Sequence, residues 1–435
     1  MGSRSIEDSC SYSANRMAAF PPVKTVALVD PLWIGHHPMY FSQFTAAFMR
    51  LGAYVIGLCP EPGEALAAAR TVAAGQFADF DRRVSTHKLP GGKRSWFRGR
   101  FEGDPLRTYQ RWKRCADTLY EAEQRTGRRA DLVFFPYLDS YLRFLPFPGV
   151  PGLTINRPWS GLYLRNHHFG EAPSPLRKLR LLAKGDALMR SRLCRGIGVL
   201  DERFAGPMTR YLGKEVHAFP DVTDATLPDE PYALAEEIRR KAAGRKVIGL
   251  IGMERRKGLL NLLRVAEKAR ELRLPWYFAC AGRYEWPEYS TEEQTMIART
   301  AARIKSGEID NLHFDPEAGR IPEEADFNSI FATFDVAWAA YEGFQGSSGA
   351  LGKAASYDIP CLATAGECIG HRVESYRTGL TIPEGDSDKA LEAIRHILEG
   401  TDWDGRPLLP DHGGYRESHG LARLDALLAG ILAGA

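Results

Sequence analysis

Residues 341–360 read YEGFQGSSGALGKAASYDIP: a carboxylate, Glu342, after the apolar run 334–340, then Gly346, Ser347, Ser348 and Gly349, then a segment that can be helical. Strand, small-residue turn and helix start follow one another. Such a turn presents backbone N–H groups with no side chain in the way, and a helix N-terminus carries partial positive charge, so together they suit an anion such as a diphosphate. Glu342 can accept hydrogen bonds from sugar hydroxyls. Taken alone, Gly-Ser-Ser-Gly is equally a tight strand-to-helix connection of any α/β domain. A second feature adds weight to the anion: Arg255, Arg256 and Lys257 follow the apolar run 246–252 and precede a helical segment. Three adjacent cations repel one another unless water or an anion neutralises them, and an exposed basic loop is the plain alternative. Both loops fall at carboxyl strand ends of one sheet, where open α/β sheets bind ligands, and that favours the anion.

The first half of the chain places different chemistry after its strands. Gly35, His36 and His37 follow the strand-like run 25–30. Gly35 reads with about equal weight as a point where a ligand nears the backbone and as a turn glycine. The adjacent histidines do not make a metal site, because neighbouring side chains diverge and no carboxylate or Cys stands at ligand spacing beside them. Hydrogen bonding to a bound hydroxyl or phosphate is their functional reading; otherwise one caps the turn and the other lies on the surface. Asp139, after the run 131–136, and Trp159, in a loop expected over 156–168, complete a candidate acceptor-side set. Residues 82–114 are basic, with Trp96, Phe97, Phe101, Tyr109 and Trp112 interleaved. A solvated face ranks first for this stretch, peripheral contact with an anionic membrane second and a nucleic-acid surface a distant third.

Positioning these residues takes alternating strands and helices, the pattern of doubly wound parallel sheets. With 435 residues the chain divides most simply into two α/β domains. Residues 1–22 read as a disordered extension and 23–218 as a first Rossmann-like domain. The Pro- and Asp-rich stretch near 219–232 opens a linker and connecting helix ending at 244. A second Rossmann-like domain spans 245–414, and an amphipathic C-terminal helix lies within 415–435. An apolar fraction of 44%, a charged fraction of 26% and a net charge of +3 are ordinary for a globular protein and imply no polyelectrolyte partner. Seven scattered cysteines without C-x-x-C pairing point to reduced thiols and a cytoplasmic setting. No apolar run is long enough to span a membrane, and residues 1–20 lack a signal-peptide core.

The order Gly252…Lys257-Gly258, Ala281-Gly282, Asp335-Val336, Glu342-Gly343-Phe344, Ala354-Ala355…Pro360, Gly379-Leu380 and Pro383…Gly385-Asp386 resembles the donor domain of GT-B glycosyltransferases, in particular family 4. The resemblance covers the second half; the first half matches in architecture only. It implies a GT-B fold, with two Rossmann-like domains facing a cleft and the C-terminal helix crossing back to the first domain. It also implies transfer of a hexose-type sugar from a nucleoside diphosphate to a hydroxyl acceptor with retained anomeric configuration, without a metal or other cofactor. Lys257 with Arg255 or Arg256, and the turn Gly346, Ser347, Ser348, Gly349, would hold the diphosphate. Glu342, Gly282 and Lys353 would face the sugar and nucleotide, and Gly35, His36, His37, Asp139 and Trp159 the acceptor. Glu342, Lys257 and His36 would be catalytic. One departure stands out: where the family has a second Glu for the nucleotide ribose, this chain has Ala350 or Lys353, depending on the alignment. Two rivals follow: a same-fold sugar-nucleotide epimerase or hydrolase, and a non-catalytic module that binds a glycan or a protein.

Overall fold

The computed structural model describes residues 24–90, 105–142, 147–164, 181 and 185–434. Two parallel sheets organise them. The first contains β1 (Thr25–Val29), β2 (Tyr54–Cys59), β3 (Val84–Lys88), β4 (Leu132–Phe135), β5 (Trp159–Tyr163), β6 (Cys194–Val199) and β7 (Val216–Ala218), in the order 3-2-1-4-5-6-7. The second contains β8 (Lys246–Met253), β9 (Trp276–Tyr284), β10 (Leu312–Phe314), β11 (Val336–Ala339), β12 (Cys361–Thr364) and β13 (Gly379–Ile382), in the order 10-9-8-11-12-13. Every pairing is parallel, and the central strands are continuously buried, as strands covered by helices on both faces must be.

Strand order reverses between β1 and β4 in the first sheet and between β8 and β11 in the second. At such points successive helices lie on opposite faces and leave a crevice beyond the strand ends. The carboxyl ends of the two sheets meet. Arg203, just past β6, donates to the Gly366 carbonyl, just past β12, at 2.6 Å. The helix Leu421–Ala433 returns to the first domain, where Leu424, Leu428, Ile431 and Leu432 join a core with Val26, Leu28, Phe44 and Phe48. A two-pronged Arg50–Asp425 pair, at 2.7 and 2.8 Å, fixes it against helix His37–Arg50.

Three local expectations change. The loop over 156–168 is in part strand β5, because Pro158 ends the preceding turn and its carbonyl accepts from Val133 of β4, so pairing begins at the next residue. The stretch 174–195, whose Lys and Arg content and spacing read as a basic helix, lies partly outside the described residues; within them Asp186–Met189 is helical, whereas Cys194 and Arg195 already belong to β6. The amphipathic tail is two helices, His412–His419 and Leu421–Ala433, divided at Gly420, whose extended backbone serves as C-cap of one and N-cap of the other. Six cysteines among the described residues are buried and unpaired, and burial pushes the Cys59, Cys115, Cys361 and Cys368 thiols up to about 12. Among the described residues no helix is long and apolar enough to cross a membrane. Residues 91–104 of the basic stretch lie outside the described residues. Trp112 of that stretch is core, fully buried, and donates to the Tyr141 carbonyl.

Candidate active site

After β8 the chain makes one tight turn, Arg255–Lys257, closed by Gly258 at φ +76°. Gly258 has to be glycine on two counts: its positive φ, and the Ala340 carbonyl at the end of β11, which a Cβ would strike. The β8 and β11 loops are thereby pressed together. The Glu342 N–H donates to the Arg256 carbonyl at 2.8 Å, and the Gly343 N–H to Glu384 at 2.8 Å. Gly252 and Gly282, at φ +85° and +95°, bring the ends of β8 and β9 backbone to backbone beside the Lys257 amine.

The three cations of this turn are neutralised by the protein itself. Arg255 forks onto Glu293 at 2.9 and 3.1 Å, and Arg256 pairs with Glu254 at 2.6 Å while lying 4.7 Å over the Phe344 ring. Lys257 donates to the Ile251 carbonyl at 3.1 Å and stands 3.4 Å from Glu254. Burial works to raise the Glu254 carboxyl, but Lys257 and Arg256 outweigh it and hold it below its ordinary value. Glu342 is half-buried, and among the described residues its carboxylate has no hydrogen-bond partner. Burial pushes it up, Arg255 pulls it down and Glu384 adds to the push.

The Gly346–Gly349 turn leads to a different place. Ser348 caps helix Gly349–Ser356 through the Ala350 N–H and meets the Tyr341 hydroxyl at 3.0 Å. Ser347 accepts from Arg372 at 2.6 Å and hydrogen-bonds the Asp221 carboxylate of the linker. Arg372, 1% exposed, also grips Glu202 at 2.8 Å and the Leu200 carbonyl of the first domain. The turn therefore docks on the domain junction. Lys353 lies behind it, 5% exposed, with its three N–H donors directed to the Asp224 carbonyl, Glu324 and Asn328, and with the Phe327 ring at 4.8 Å. No donor remains for a ribose. Burial pulls this amine down from its ordinary value despite Glu324.

On the first domain, Gly35 adopts φ +60° and His36 is exposed, with no capping hydrogen bond from its side chain. His37 begins the following helix and turns inward. Its Nδ1 lies 2.7 and 2.8 Å from the two carboxylate oxygens of Asp30, and its ring stacks on Tyr137 at 3.8 Å. Asp139, buried, accepts from the Leu164 N–H at 2.9 Å and so ties the β4 loop to the end of β5. Trp159 is a correction: it is fully buried against Trp112 and Phe135, because β5 runs through the middle of the sheet and places this ring in the core. The sequence reading missed Asp30, Asp221, Glu202 and Arg372. Only Asp30 carried a signal, as the polar residue ending the apolar run of β1.

Among the described residues one cluster, Asp201, Glu202 and Cys368, brings three metal-capable atoms within 4.8 Å of one another. Arg203 pairs with Asp201 at 2.7 Å and Arg372 with Glu202, so guanidinium groups already balance those carboxylates.

No family model and no curated protein match the sequence. Solved structures match its fold. HepE of Anabaena in complex with UDP aligns with a TM-score of 0.62 at 13% identity, over 95% of this chain and 100% of that one. The UDP-forming α,α-trehalose-phosphate synthase of Burkholderia xenovorans gives 0.60 at 13% identity, over 94% and 99%. A glycosyltransferase of Rickettsia africae gives 0.59 at 10% identity, over 94% and 96%. The likeness is one of fold: two Rossmann-like domains in the GT-B arrangement, as the resemblance implied.

Proposed function

We propose that this chain is a glycosyltransferase that moves a hexose-type sugar from a nucleoside diphosphate to a hydroxyl acceptor, with retention of anomeric configuration. The observation that carries the reading is the coupling of the β8 and β11 loops at the second switch point. There the Glu342 N–H donates to the Arg256 carbonyl, the Lys257 amine stands beside Gly252, Arg255 acts on the Glu342 carboxyl, and among the described residues that carboxylate has no hydrogen-bond partner. An incoming diphosphate exchanges places with Glu254 and Glu293 as partner of the cations. Lys257 and Arg256 then stabilise the negative charge that develops as the glycosyl–phosphate bond breaks, the largest electrostatic task in such a transfer. Glu342 accepts hydrogen bonds from donor-sugar hydroxyls, and Gly282 lets the nucleotide lie close to β9. The HepE structures, solved in complex with UDP and with UDP-glucose, support a uridine nucleotide as the first donor to try. The acceptor binds at the first switch point, near Gly35, His36, His37 and Asp139. No metal is required in this reading, and the chain works in the cytoplasm; the basic stretch 82–114 is a solvated face first, with contact to an anionic membrane surface the second reading.

Thermal denaturation against nucleoside diphosphates and their sugars tests the proposal. A ligand that binds only the folded state adds about 2.7 kcal/mol of stability at a hundredfold excess over its dissociation constant. A selective upward shift with one nucleotide supports the reading and names the donor base, whereas no shift with any of them favours a non-catalytic binding module. The anomeric configuration of the product, read by NMR, tests retention.

A further inference from the structure

We propose that Glu254 is an internal competitor for the phosphates of the donor: its carboxylate holds Arg256 and Lys257 when no nucleotide is bound, gives them up to the incoming donor and takes them back as the nucleoside diphosphate leaves. This role rests on the glycosyl-transfer reading above. Glu254 joins β8 to the turn Arg255–Lys257 on extended backbone, at φ −79° and ψ 144°, and its side chain does not cap the turn. Its two oxygens divide the cations. Oε2 accepts from Arg256, with Nε at 2.6 Å and Nη2 at 2.5 Å, and Oε1 faces the Lys257 amine at 3.4 Å. One carboxylate thus bridges two cations through two oxygens, as a phosphate group does. Among the described residues these cations are the only hydrogen-bond or ion-pair partners of the Glu254 side chain.

The cations are anchored independently of it. The Arg256 guanidinium lies 4.7 Å over the Phe344 ring, and the Lys257 amine donates to the Ile251 carbonyl at 3.1 Å. Withdrawal of Glu254 therefore leaves both groups in place with their charge uncompensated, which is the condition for receiving a diphosphate. The neighbouring carboxylates are built in more firmly. Glu293 forks onto Arg255 and also accepts from the Ser290 N–H at 2.8 Å, which closes the capping box of helix Thr291–Lys305. Glu288 accepts from the Arg255 N–H at 2.9 Å. Moving either one gives up a helix cap or a backbone hydrogen bond. Moving Glu254 gives up only its two ion pairs, which are part-exposed, so water receives the carboxylate at little cost. The exchange runs in both directions: a carboxylate that re-forms its pairs as the phosphates loosen lowers the barrier to departure, and departure of product limits turnover in many enzymes.

The test uses the full chain and UDP, or the nucleoside diphosphate that the thermal screen selects in its place. Affinity is read by titration calorimetry and dissociation by stopped-flow tryptophan fluorescence, in the wild type, Glu254→Gln, Lys257→Ala and the double variant. Gln keeps the shape of Glu254 and removes its charge. Glu254→Gln is expected to bind the nucleotide roughly five- to twentyfold more tightly, the competition of two part-exposed ion pairs, and to release it more slowly. A merely structural role would weaken binding instead. In the Lys257→Ala background the gain should shrink, because one of the contested cations is gone, whereas simple repulsion between Glu254 and the nucleotide would give the same gain in both backgrounds. Affinity at or below the wild-type value, unchanged dissociation, or an equal gain in both backgrounds overturns this inference alone. So does a Glu254→Gln protein that does not fold, since an exchangeable partner is not indispensable to the fold. If no nucleoside diphosphate binds the wild-type protein, the glycosyl-transfer reading falls, and this inference with it.

Discussion

Two charge clusters border the same cleft, and they are built to opposite ends. In the β8 loop the ion pairs of Arg255, Arg256 and Lys257 with Glu293 and Glu254 keep between 17% and 44% of each side chain exposed. At the domain junction Arg372 has 1% exposure and is shared among Glu202, Ser347, Asp221 and the Leu200 carbonyl. Exposed pairs contribute little to stability and exchange partners readily. A buried guanidinium holds its partners because releasing one leaves an uncompensated charge. The difference separates exchangeable, solvent-facing pairs, which the proposed anion site requires, from a joint that ties the two domains together. It also reassigns the Gly-Ser-Ser-Gly turn, whose Ser347 belongs to the joint.

The comparison breaks first at Arg372. Arg372→Met should cost about 3–5 kcal/mol of stability in urea denaturation, the range for stripping one partner from a buried pair; a loss below 1 kcal/mol would place this residue with the exchangeable pairs. Lys257→Ala should leave the denaturation midpoint nearly unchanged and lower turnover by about 10²–10³-fold, as expected when one stabiliser of developing charge is removed. Raised salt should weaken nucleotide binding at this loop, because its charges are screened, and leave the junction's contribution in place.

A smaller effect lies in the pH dependence of the junction. His419 accepts from the Asp221 N–H at 3.4 Å and is held down to about 3, by burial first and by Arg372 second. The unfolded chain, with an ordinary histidine, binds a proton that the folded chain refuses in the window from about 6.5 to 3, so stability falls as the pH is lowered through it. One such proton gives a slope of at most about 1.4 kcal/mol per pH unit. Glu202, held below its ordinary value, adds to the loss at lower pH, whereas Asp30 and Glu342, both pushed up, oppose it. Denaturation at pH 7 and pH 5 should show a flatter dependence for His419→Gln than for the wild type. The smallest effect is the helix cap: Ser348→Ala should cost about 1 kcal/mol and leave nucleotide affinity unchanged if the turn serves the joint.

The apolar runs of β1, β4, β8 and β11 were legible because a parallel strand buried on both faces is a short unbroken apolar segment. The same rule put Lys257 and Glu342 at one switch point and His37 at the other. Strand β5 was not legible: Pro158 and the polar residues flanking it have the composition of a loop, and only pairing with Val133 and Ile197 makes Trp159–Tyr163 a strand. Nor could sequence choose between His36 and His37, since one side chain points in and the other out at the start of a helix. The burial of Lys353, which the resemblance had face the nucleotide, and of Arg372, which carried no reading, was not legible because partners such as Asp224 and Glu202 lie 129 and 170 residues away. Burial of a charge is a property of the assembled domains.

The central claim is that the Arg255–Lys257 turn, with Glu342 beside it, receives the diphosphate of a sugar nucleotide. Titration calorimetry of UDP into the wild-type protein and into Lys257→Ala addresses it most directly. The account predicts one-to-one binding that weakens at least tenfold in the variant, a difference of about 1.4 kcal/mol, with the same loss for UDP-glucose. Equal UDP affinity in the two proteins would place the nucleotide elsewhere and contradict the account.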